Sequence, residues 1–193
     1  MLFRSHCAGV IGAVGNDGVG ISGINQRVSI MPVKFLSGEG SGDTASAVKA
    51  IDYAISRGAK VLSNSWGGKG DDGTNGALKD AVSRAQAAGV LFVAAAGNDG
   101  TNNDSDPTFP ASYNLDNMVV VAATDERDGL AYFSNTGPKS VHVGAPGTNV
   151  YSTVPGNKYA KLSGTSMACP HVAGEAALIW AQDRKSTRLN SSH

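Results

Sequence analysis

The chain contains 193 residues, of which 41% are hydrophobic, and its 16 basic and 16 acidic side chains give a net charge of zero. A chain of this length folds as one domain with a substantial core, the charge balance argues against a nucleic-acid partner, and no apolar run is long enough to span a bilayer. The two cysteines, Cys7 and Cys169, cannot form a disulfide framework, and we expect both to be buried thiols.

Both ends of the chain differ in composition from the remainder. Residues 183–193 contain one apolar residue, show no periodicity and follow a predicted helix without any stop signal. Their sequence corresponds to the translation of a short-read sequencing adapter, and residues 2–5 fit the opposite adapter. We therefore predict that residues 1–5 and 183–193 are artefacts and that the genuine domain is 6–182. A solvated terminal tail is the alternative.

The first predicted elements are a helix and a glycine-rich loop. Small residues over 6–13 predict a helix that can pack closely against a neighbour. The loop 18–23 matches the dinucleotide pattern G-x-G-x-x-G, which has meaning only between a strand and a helix. Here it follows a helix and precedes a predicted strand at 28–36, so we reject a dinucleotide site.

Strand and helix patterns alternate through the middle of the chain. We predict helices at 44–56 and 75–88 and strands at 60–65, 90–96, 118–123 and 141–144. The strand at 90–96 is unbroken apolar, as expected of a parallel strand that is buried on both faces. The order predicts an α/β fold, a parallel β-sheet with helices on both faces. The sheet is incomplete if the ends are truncated.

Three predicted strands end in turns that contain glycine. These turns are Gly40-Ser41-Gly42, Ser65-Trp66-Gly67 and Gly97-Asn98. Sites on parallel sheets gather at the carboxyl ends of the strands, and glycine leaves the backbone there open for an extended peptide to pair as an added strand. Each turn alone is typical of an ordinary strand end, whereas the three together indicate a peptide-binding cleft.

The most specific stretch is 164–174, Gly-Thr-Ser-Met-Ala-Cys-Pro-His-Val-Ala-Gly, which opens an apolar run that ends at Ala181. Small or apolar residues on every face predict a helix buried on all sides, and Pro170 is tolerated only near a helix start. Ser166 is thus placed at the helix N-terminus, where free N–H groups favour developing negative charge. A lone serine there would be an N-cap, but its context resembles the nucleophile motif of the subtilisin-like serine proteases.

The resemblance implies roles for the residues named above. Ser166 would be the nucleophile, and the amide of Asn98 with the backbone N–H of Ser166 would bind the oxyanion. The family binds the substrate backbone between two walls, which here would be Gly40-Ser41-Gly42 and Ser65-Trp66-Gly67. The pocket for the side chain before the scissile bond would be lined by Ala95, Ala96 and Gly97. No cofactor is implied for catalysis.

His6 resembles the second, structural histidine of the family motif His-Gly-Thr-His-Cys-Ala-Gly, and not its catalytic first histidine. The resemblance therefore places the catalytic histidine and aspartate upstream of residue 6. His142 falls in a predicted strand, His171 follows Ser166 on the same helix, and His193 belongs to the terminal tail. We predict that the chain as written is inactive.

The glycine-rich loop resembles one that wraps a structural calcium ion in many family members. Its ligands would be the Asp17 carboxylate and the carbonyls of Val14, Val19 and Ile21, because hard oxygen donors on a tight loop suit Ca²⁺. An ordinary Gly/Asn/Asp turn would have the same sequence. The acidic residues at 104–106 lack the spacing of a calcium-binding loop, and we expect them to be solvated.

These observations, together with the resemblance, predict a fragment of a subtilisin-like serine endopeptidase (peptidase family S8). We expect the parent protein to be secreted and monomeric and to act on proteins or peptides. We expect neither a nucleic acid nor a membrane as a partner. Lipases need G-x-S-x-G directly after a strand, and here Ala168 replaces the second glycine. Two alternatives remain. The parent could be a catalytically dead homologue that serves as a peptide-binding module, or the chain could be a truncated read without a function of its own.

Overall fold

The computed structural model describes residues 2–70 and 72–190, which form an α/β fold. The helices are α1 (Leu2–Gly12), α2 (Thr44–Ser56), α3 (Asp72–Ala87) and α4 (Thr165–Asn190). The strands are β1 (Val61–Asn64), β2 (Leu91–Ala95), β3 (Met118–Thr124), β4 (Val143–Pro146), β5 (Val150–Val154) and β6 (Lys158–Leu162). The predicted helices and all but one of the predicted strands are present, and most of their ends agree within three residues. The exceptions are α1, which begins at Leu2 and not at residue 6, and α4, which continues past Ala181 to Asn190.

Strands β1 to β4 form one parallel sheet in chain order, β1-β2-β3-β4. Strands β5 and β6 form a separate antiparallel hairpin, which we did not predict. Gly156 and Asn157, with φ values of +84° and +56°, close its short turn. The signal was available in the sequence, because two short strand patterns separated by a turn that contains glycine and asparagine are typical of a hairpin.

Helices cover both faces of the parallel sheet, as predicted. Successive side chains of a strand point to opposite faces, and β2 follows this rule. Phe92 and Ala94 pack with buried residues of α2 and α3, while Val93 and Ala95 pack with buried residues of α4. The unbroken apolar sequence of β2 therefore reflects burial on both sides, and its carboxyl end is held rigidly between two layers of helices.

The predicted strand at 28–36 is wrong, because these residues form neither helix nor strand. A strand needs neighbouring backbone to satisfy its N–H and C=O groups, and β1 pairs with β2 alone in the described part of the chain. Pro32 also has no N–H to contribute. The segment instead runs along the surface as irregular chain, with Ile30 and Met31 40% and 41% exposed.

The prediction that the whole apolar run of α4 is buried is also wrong. Ala168 and Cys169 in its first turns are fully buried, but Leu178 and Ile179 are 42% and 61% exposed. The sheet covers the beginning of the helix, and no element within 2–70 or 72–190 covers these later side chains. Among the helices of residues 2–70 and 72–190, none is long and apolar enough to cross a membrane.

Phe92 provides a test of the packing, since its side chain is fully buried at the centre of the sheet. Phe92→Ala should lower the free energy of unfolding by about 3–5 kcal/mol because it leaves a cavity. Tyr132, which is 94% exposed, supplies the control: Tyr132→Ala should cost about 1 kcal/mol at most. Urea denaturation of the purified chain measures both, and equal losses would contradict this core.

Candidate active site

The chain enters α4 through Gly164, whose φ of +151° is favourable mainly for glycine. The Gly164 carbonyl accepts a hydrogen bond from the N–H of Met167 at 2.9 Å, which closes the first turn. Ser166 is the second residue of the helix and is partly exposed. Its hydroxyl therefore lies at a helix N-terminus, where the dipole and free N–H groups stabilise negative charge.

Ser166 and Ser65 exchange hydrogen bonds across the end of β1. The Ser166 hydroxyl donates to the carbonyl of Ser65 at 3.2 Å, and the Ser65 hydroxyl donates to the carbonyl of Ser166 at 2.9 Å. The thiol of Cys7 donates to the same Ser166 carbonyl at 3.3 Å. These contacts join β1, α1 and the first turn of α4. The roles of the Ser65 and Cys7 side chains were missed, because no local pattern reveals a partner more than 100 residues away.

Asn98 lies beside this turn and has a fixed orientation. Its Oδ1 accepts hydrogen bonds from the N–H of Thr165 at 2.8 Å and from the Thr165 hydroxyl at 3.0 Å. Within the described residues Nδ2 makes no hydrogen bond, so it is available as a donor. The Thr165 hydroxyl also accepts the N–H of Gly97 at 3.3 Å. Thr165 is thus the side chain that orients Asn98, and it is fully buried.

The loop that carries Asn98 is fixed by hydrogen bonds to the side-chain amide of Asn135, which is fully buried. Its Oδ1 accepts the N–H groups of Asp99 and Thr101, and its Nδ2 donates to Asn103 and Thr108. A Cβ on Gly97 would lie only 2.4 Å from Asn135 Nδ2, so only glycine permits this approach. This amide network was missed, because asparagines in a polar loop predict solvation and not burial.

A cleft of about 430 Å³ opens beside Ser166. It brings together Ser166 and residues of both predicted walls, namely Gly40, Ser65, Trp66 and Gly67, with Leu36, Leu162, Ser163 and Met167 completing the lining. The second wall is fixed to a neighbouring loop by paired hydrogen bonds between Gly68 and Phe109. Gly40 and Gly67 leave backbone in this lining without side chains, and such backbone can pair with an extended peptide.

The other predicted substrate-binding residues lie around this cleft and not in its lining. Ser41 contacts Ser37, their hydroxyls 3.1 Å apart, and Gly42 packs against Leu36. Ala95 and Ala96 are buried, with side chains on opposite faces of the sheet, and Gly97 is partly exposed. The structure therefore leaves Gly97 as the member of this group that presents backbone next to Asn98.

No histidine of the described chain bonds to the Ser166 hydroxyl. His6 is fully buried, and its Nε2 contacts the carbonyls of Val150 and Ala160 in the hairpin. His171 contacts the Met167 carbonyl through Nδ1, and burial lowers its pKa. His142 is exposed, lies just before β4 and accepts the N–H of Val120, so its predicted position inside a strand is wrong. His193 lies outside the described residues.

The two cysteines are free and buried, as predicted. Burial raises the pKa of the Cys7 thiol to about 12 and that of the Cys169 thiol to about 11. Both remain protonated at neutral pH, and a protonated thiol is a poor nucleophile. The hydroxyl of Ser166 is therefore the better candidate for nucleophilic chemistry at this site.

The loop proposed for calcium offers oxygen donors but only one carboxylate. Asp17 Oδ1 accepts the N–H of Val19 at 3.0 Å, as in an ordinary Asx turn. The carbonyls of Val14, Val19 and Ile21 accept no backbone hydrogen bond within the described residues. Four oxygens fit Ca²⁺ by chemistry, although Ca²⁺ takes about six to eight ligands, so water or other groups would have to complete the shell.

Asp104 is exposed, as predicted, but hydrogen bonds from neighbouring groups also fix its carboxylate. Its carboxylate accepts hydrogen bonds from the Ser140 hydroxyl at 2.7 Å and from the N–H groups of Ser140 and Lys139. The hydrogen bond from the Ser140 hydroxyl, and to a smaller extent those from the two N–H groups, lowers the pKa of Asp104. Asp104 therefore anchors the loop before β4, and it does not point to a cation.

Comparisons with known proteins agree with this geometry. The sequence profile described as "Subtilase family" matches residues 5–191. Thermitase of Thermoactinomyces vulgaris is 43% identical over 188 residues, which are 97% of this chain and 64% of Thermitase. Minor extracellular protease Epr of Bacillus subtilis (strain 168) is 43% identical over 185 residues, which are 96% of this chain and 27% of Epr.

A solved structure, that of a cold adapted subtilisin-like serine proteinase, has the same fold. It matches with a TM-score of 0.79 and 33% identity, over 94% of this chain and 62% of the other. The chain thus spans less than two thirds of the length of these relatives.

The buried amide of Asn135 gives a test of how the Asn98 loop is held. Asn135→Leu keeps a similar volume but leaves four partners of the amide unpaired, two of them on the buried residues Asn103 and Thr108. We therefore expect a loss of more than about 2 kcal/mol in the free energy of unfolding. Amide hydrogen exchange at residues 97–101 should also become faster. Asn102→Leu is the control, because Asn102 is exposed and its side chain accepts only the N–H of Asp104. Unchanged exchange in Asn135→Leu would contradict the assignment.

Proposed function

Because this chain belongs to the subtilase family of serine peptidases, we propose that its parent protein is an endopeptidase whose nucleophile is the hydroxyl of Ser166. The observation that carries this proposal is the arrangement at the start of α4. There the Ser166 hydroxyl lies next to an amide, Asn98, whose oxygen is held by Thr165 and whose Nδ2 is free to donate. A nucleophile and an oxyanion donor on rigid elements are what acyl transfer requires.

The reaction follows from these positions. Ser166 Oγ attacks the carbonyl carbon of the peptide bond and forms a C–O bond, while its proton passes to a base. The carbonyl electron pair moves onto oxygen, and Asn98 Nδ2 and the N–H of Ser166 stabilise that oxyanion. The C–N bond then breaks as the base protonates the leaving amine. Water hydrolyses the resulting acyl-enzyme ester and restores Ser166.

We place the base and the carboxylate that orients it in a part of the parent outside these 193 residues. This assignment is supported by the three described histidines, which all contact backbone groups elsewhere. A serine hydroxyl is too basic to attack unaided. In a subtilisin, removal of the base lowers kcat by about 2 × 10⁶.

The substrate class follows from the cleft. We propose that an extended peptide lies between the wall that includes Gly40 and the wall of Ser65, Trp66 and Gly67, and that its backbone pairs with theirs. Gly40 and Gly67 allow this approach, because neither has a side chain that would separate the peptide from the wall backbone. The specificity for one protein or peptide over another would then arise from the side chains that line the cleft, such as Leu36, Leu162 and Met167.

We further propose that the parent acts outside the cell, an inference supported by the name of the extracellular relative Epr. Subtilases commonly bind structural Ca²⁺. In this chain the Asp17 carboxylate and the carbonyls of Val14, Val19 and Ile21 would hold it. A bound Ca²⁺ would stabilise the loop that links α1 to the segment before α2, and it would take no part in the chemistry.

The first test concerns the chain itself. We expect residues 1–193 to show no Ser166-dependent labelling by a fluorophosphonate probe and no cleavage of an unstructured protein, because no described histidine bonds to the Ser166 hydroxyl. The Ser166→Ala variant sets the background. Labelling that disappears in Ser166→Ala, together with turnover at protease rates, would show that a base lies within the chain. The His6→Ala variant would then show whether His6 is that base.

The second test concerns Asn98 in the complete parent protein. Asn98→Ala should lower kcat by about 10²–10³, the loss known for the equivalent change in a subtilisin, with little change in KM. The reason is that the oxyanion forms only after attack, so binding of the substrate is spared. Asn102→Ala, an exposed asparagine of the same loop, serves as the control. A kcat that stays within a few fold would remove Asn98 from the oxyanion site.

A further inference from the structure

The loop that carries Asn98 lies along another part of the chain, residues 133–136, which we call the support segment. Four backbone hydrogen bonds join the loop to it, and they link Asn135 to Gly97, Gly100 to Phe133, Thr136 to Thr101 and Asn103 to Thr136. The support segment is itself tied to β3, because the hydroxyl of Ser134 accepts the N–H of Ala123 at 2.9 Å. The loop is therefore fastened to the same parallel sheet that packs against α4.

Asn135 binds both neighbours of Asn98. Its N–H donates to the carbonyl of Gly97 at 3.0 Å, and its Oδ1 accepts the N–H of Asp99 at 2.8 Å. The two bonds hold the backbone immediately before and immediately after Asn98, so they fix the direction in which the Asn98 side chain leaves the loop. Thr165 then fixes the rotation of the amide at the end of that side chain.

Gly97 needs this support because its backbone is otherwise free to adopt several conformations. Its φ is +114°, in a region that is open mainly to glycine. The N–H of Gly97 donates to the Thr165 hydroxyl at 3.3 Å, and Nδ2 of Asn103 donates to the carbonyl of Ala96 at 2.8 Å. With the bond from the Asn135 N–H, each polar backbone group from the Ala96 carbonyl to the Gly97 carbonyl has a partner. These bonds select one conformation of Gly97.

We propose that Asn135 is the positioning residue of the oxyanion donor, and that it sustains kcat by fixing the point from which Asn98 presents Nδ2. The inference rests on the proposed function of Ser166 and Asn98. It concerns a residue that does not touch the nucleophile, since none of the described hydrogen bonds of Asn135 involves Ser166. The strength of a hydrogen bond depends on distance and angle, and a displacement of about 1 Å can lower the rate about 10²-fold.

The competing explanation is that Asn135 contributes to stability alone, and Asn117 supplies a matched comparison. Asn117 is another asparagine whose amide donates to two backbone carbonyls, those of Val82 and Val90, at 3.4 and 3.1 Å. It lies near the amino end of β2, whereas Asn98 follows the carboxyl end. Loss of the Asn117 amide should therefore lower the stability of the protein without changing kcat of the folded molecules.

The first experiment measures kcat and KM of the complete parent protein at a temperature at which every variant is folded. Asn135→Leu should lower kcat at least about tenfold, and by no more than the factor of about 10²–10³ expected for Asn98→Ala. KM should stay within about threefold, because the oxyanion forms only after attack. Asn117→Leu should leave both constants within about twofold, because its contacts lie at the other end of β2.

A double-mutant cycle shows whether Asn135 acts through Asn98. The double variant of Asn98→Ala and Asn135→Leu should have the kcat of Asn98→Ala within about threefold, because no donor is left for Asn135 to position. An effect on stability alone has no such dependence on Asn98.

A milder variant accompanies Asn135→Leu, which leaves buried groups unpaired. Thr108→Val keeps the shape of the side chain and removes the hydroxyl that accepts a hydrogen bond from Asn135 Nδ2 at 3.2 Å. We expect kcat to fall about two- to fivefold with an unchanged KM, and no further loss in the Asn98→Ala background. This variant decides the question if Asn135→Leu does not fold.

Three results would overturn the proposal while the proposed function stands. The first is an unchanged kcat in the folded variants at 135 and 108 although Asn98→Ala lowers it. The second is a double variant whose losses multiply, since Asn135 would then act independently of Asn98. The third is an equal loss of kcat in Asn117→Leu, because general loosening would then account for both. An unchanged kcat in Asn98→Ala would instead refute the oxyanion assignment itself, and this inference with it.

Discussion

The contact between the first turns of α4 and the carboxyl end of the parallel sheet is the constraint on which the site depends. Ala168 and Cys169 are fully buried there, and Ser65 and Ser166 exchange hydrogen bonds in both directions. Because the sheet is covered by helices on both faces, its strand ends cannot shift independently of α4. The position of the Ser166 hydroxyl is therefore set by burial and not by the local sequence alone.

A second layer of polar contacts converts this position into a chemical site. Thr165 orients the amide of Asn98, and the buried amide of Asn135 holds the loop beneath it. Buried amides are stable only when their donors and acceptors are satisfied, so such a network is rigid once formed. The rigidity matters because an oxyanion donor contributes most when it need not reorganise during the reaction.

No described histidine reaches Ser166, and β1 has an open edge next to the irregular segment 28–36. Both features are compatible with the limited coverage of the relatives, of which the chain spans less than two thirds. In segment 28–36, the apolar side chains of Ile30 and Met31 are exposed.

The sequence by itself determined the helices, the four strands of the parallel sheet and the place of Ser166 at a helix start, because periodicity, glycine turns and Pro170 are local signals. It did not reveal the β5–β6 hairpin. It also indicated Asn98 through the resemblance to the subtilisin-like proteases. Only the tertiary structure decided that 28–36 forms no strand, that Leu178 and Ile179 are exposed, and that Asn135 and Ser65 support the site. Each of these depends on contacts between residues distant in the chain, which no local pattern specifies.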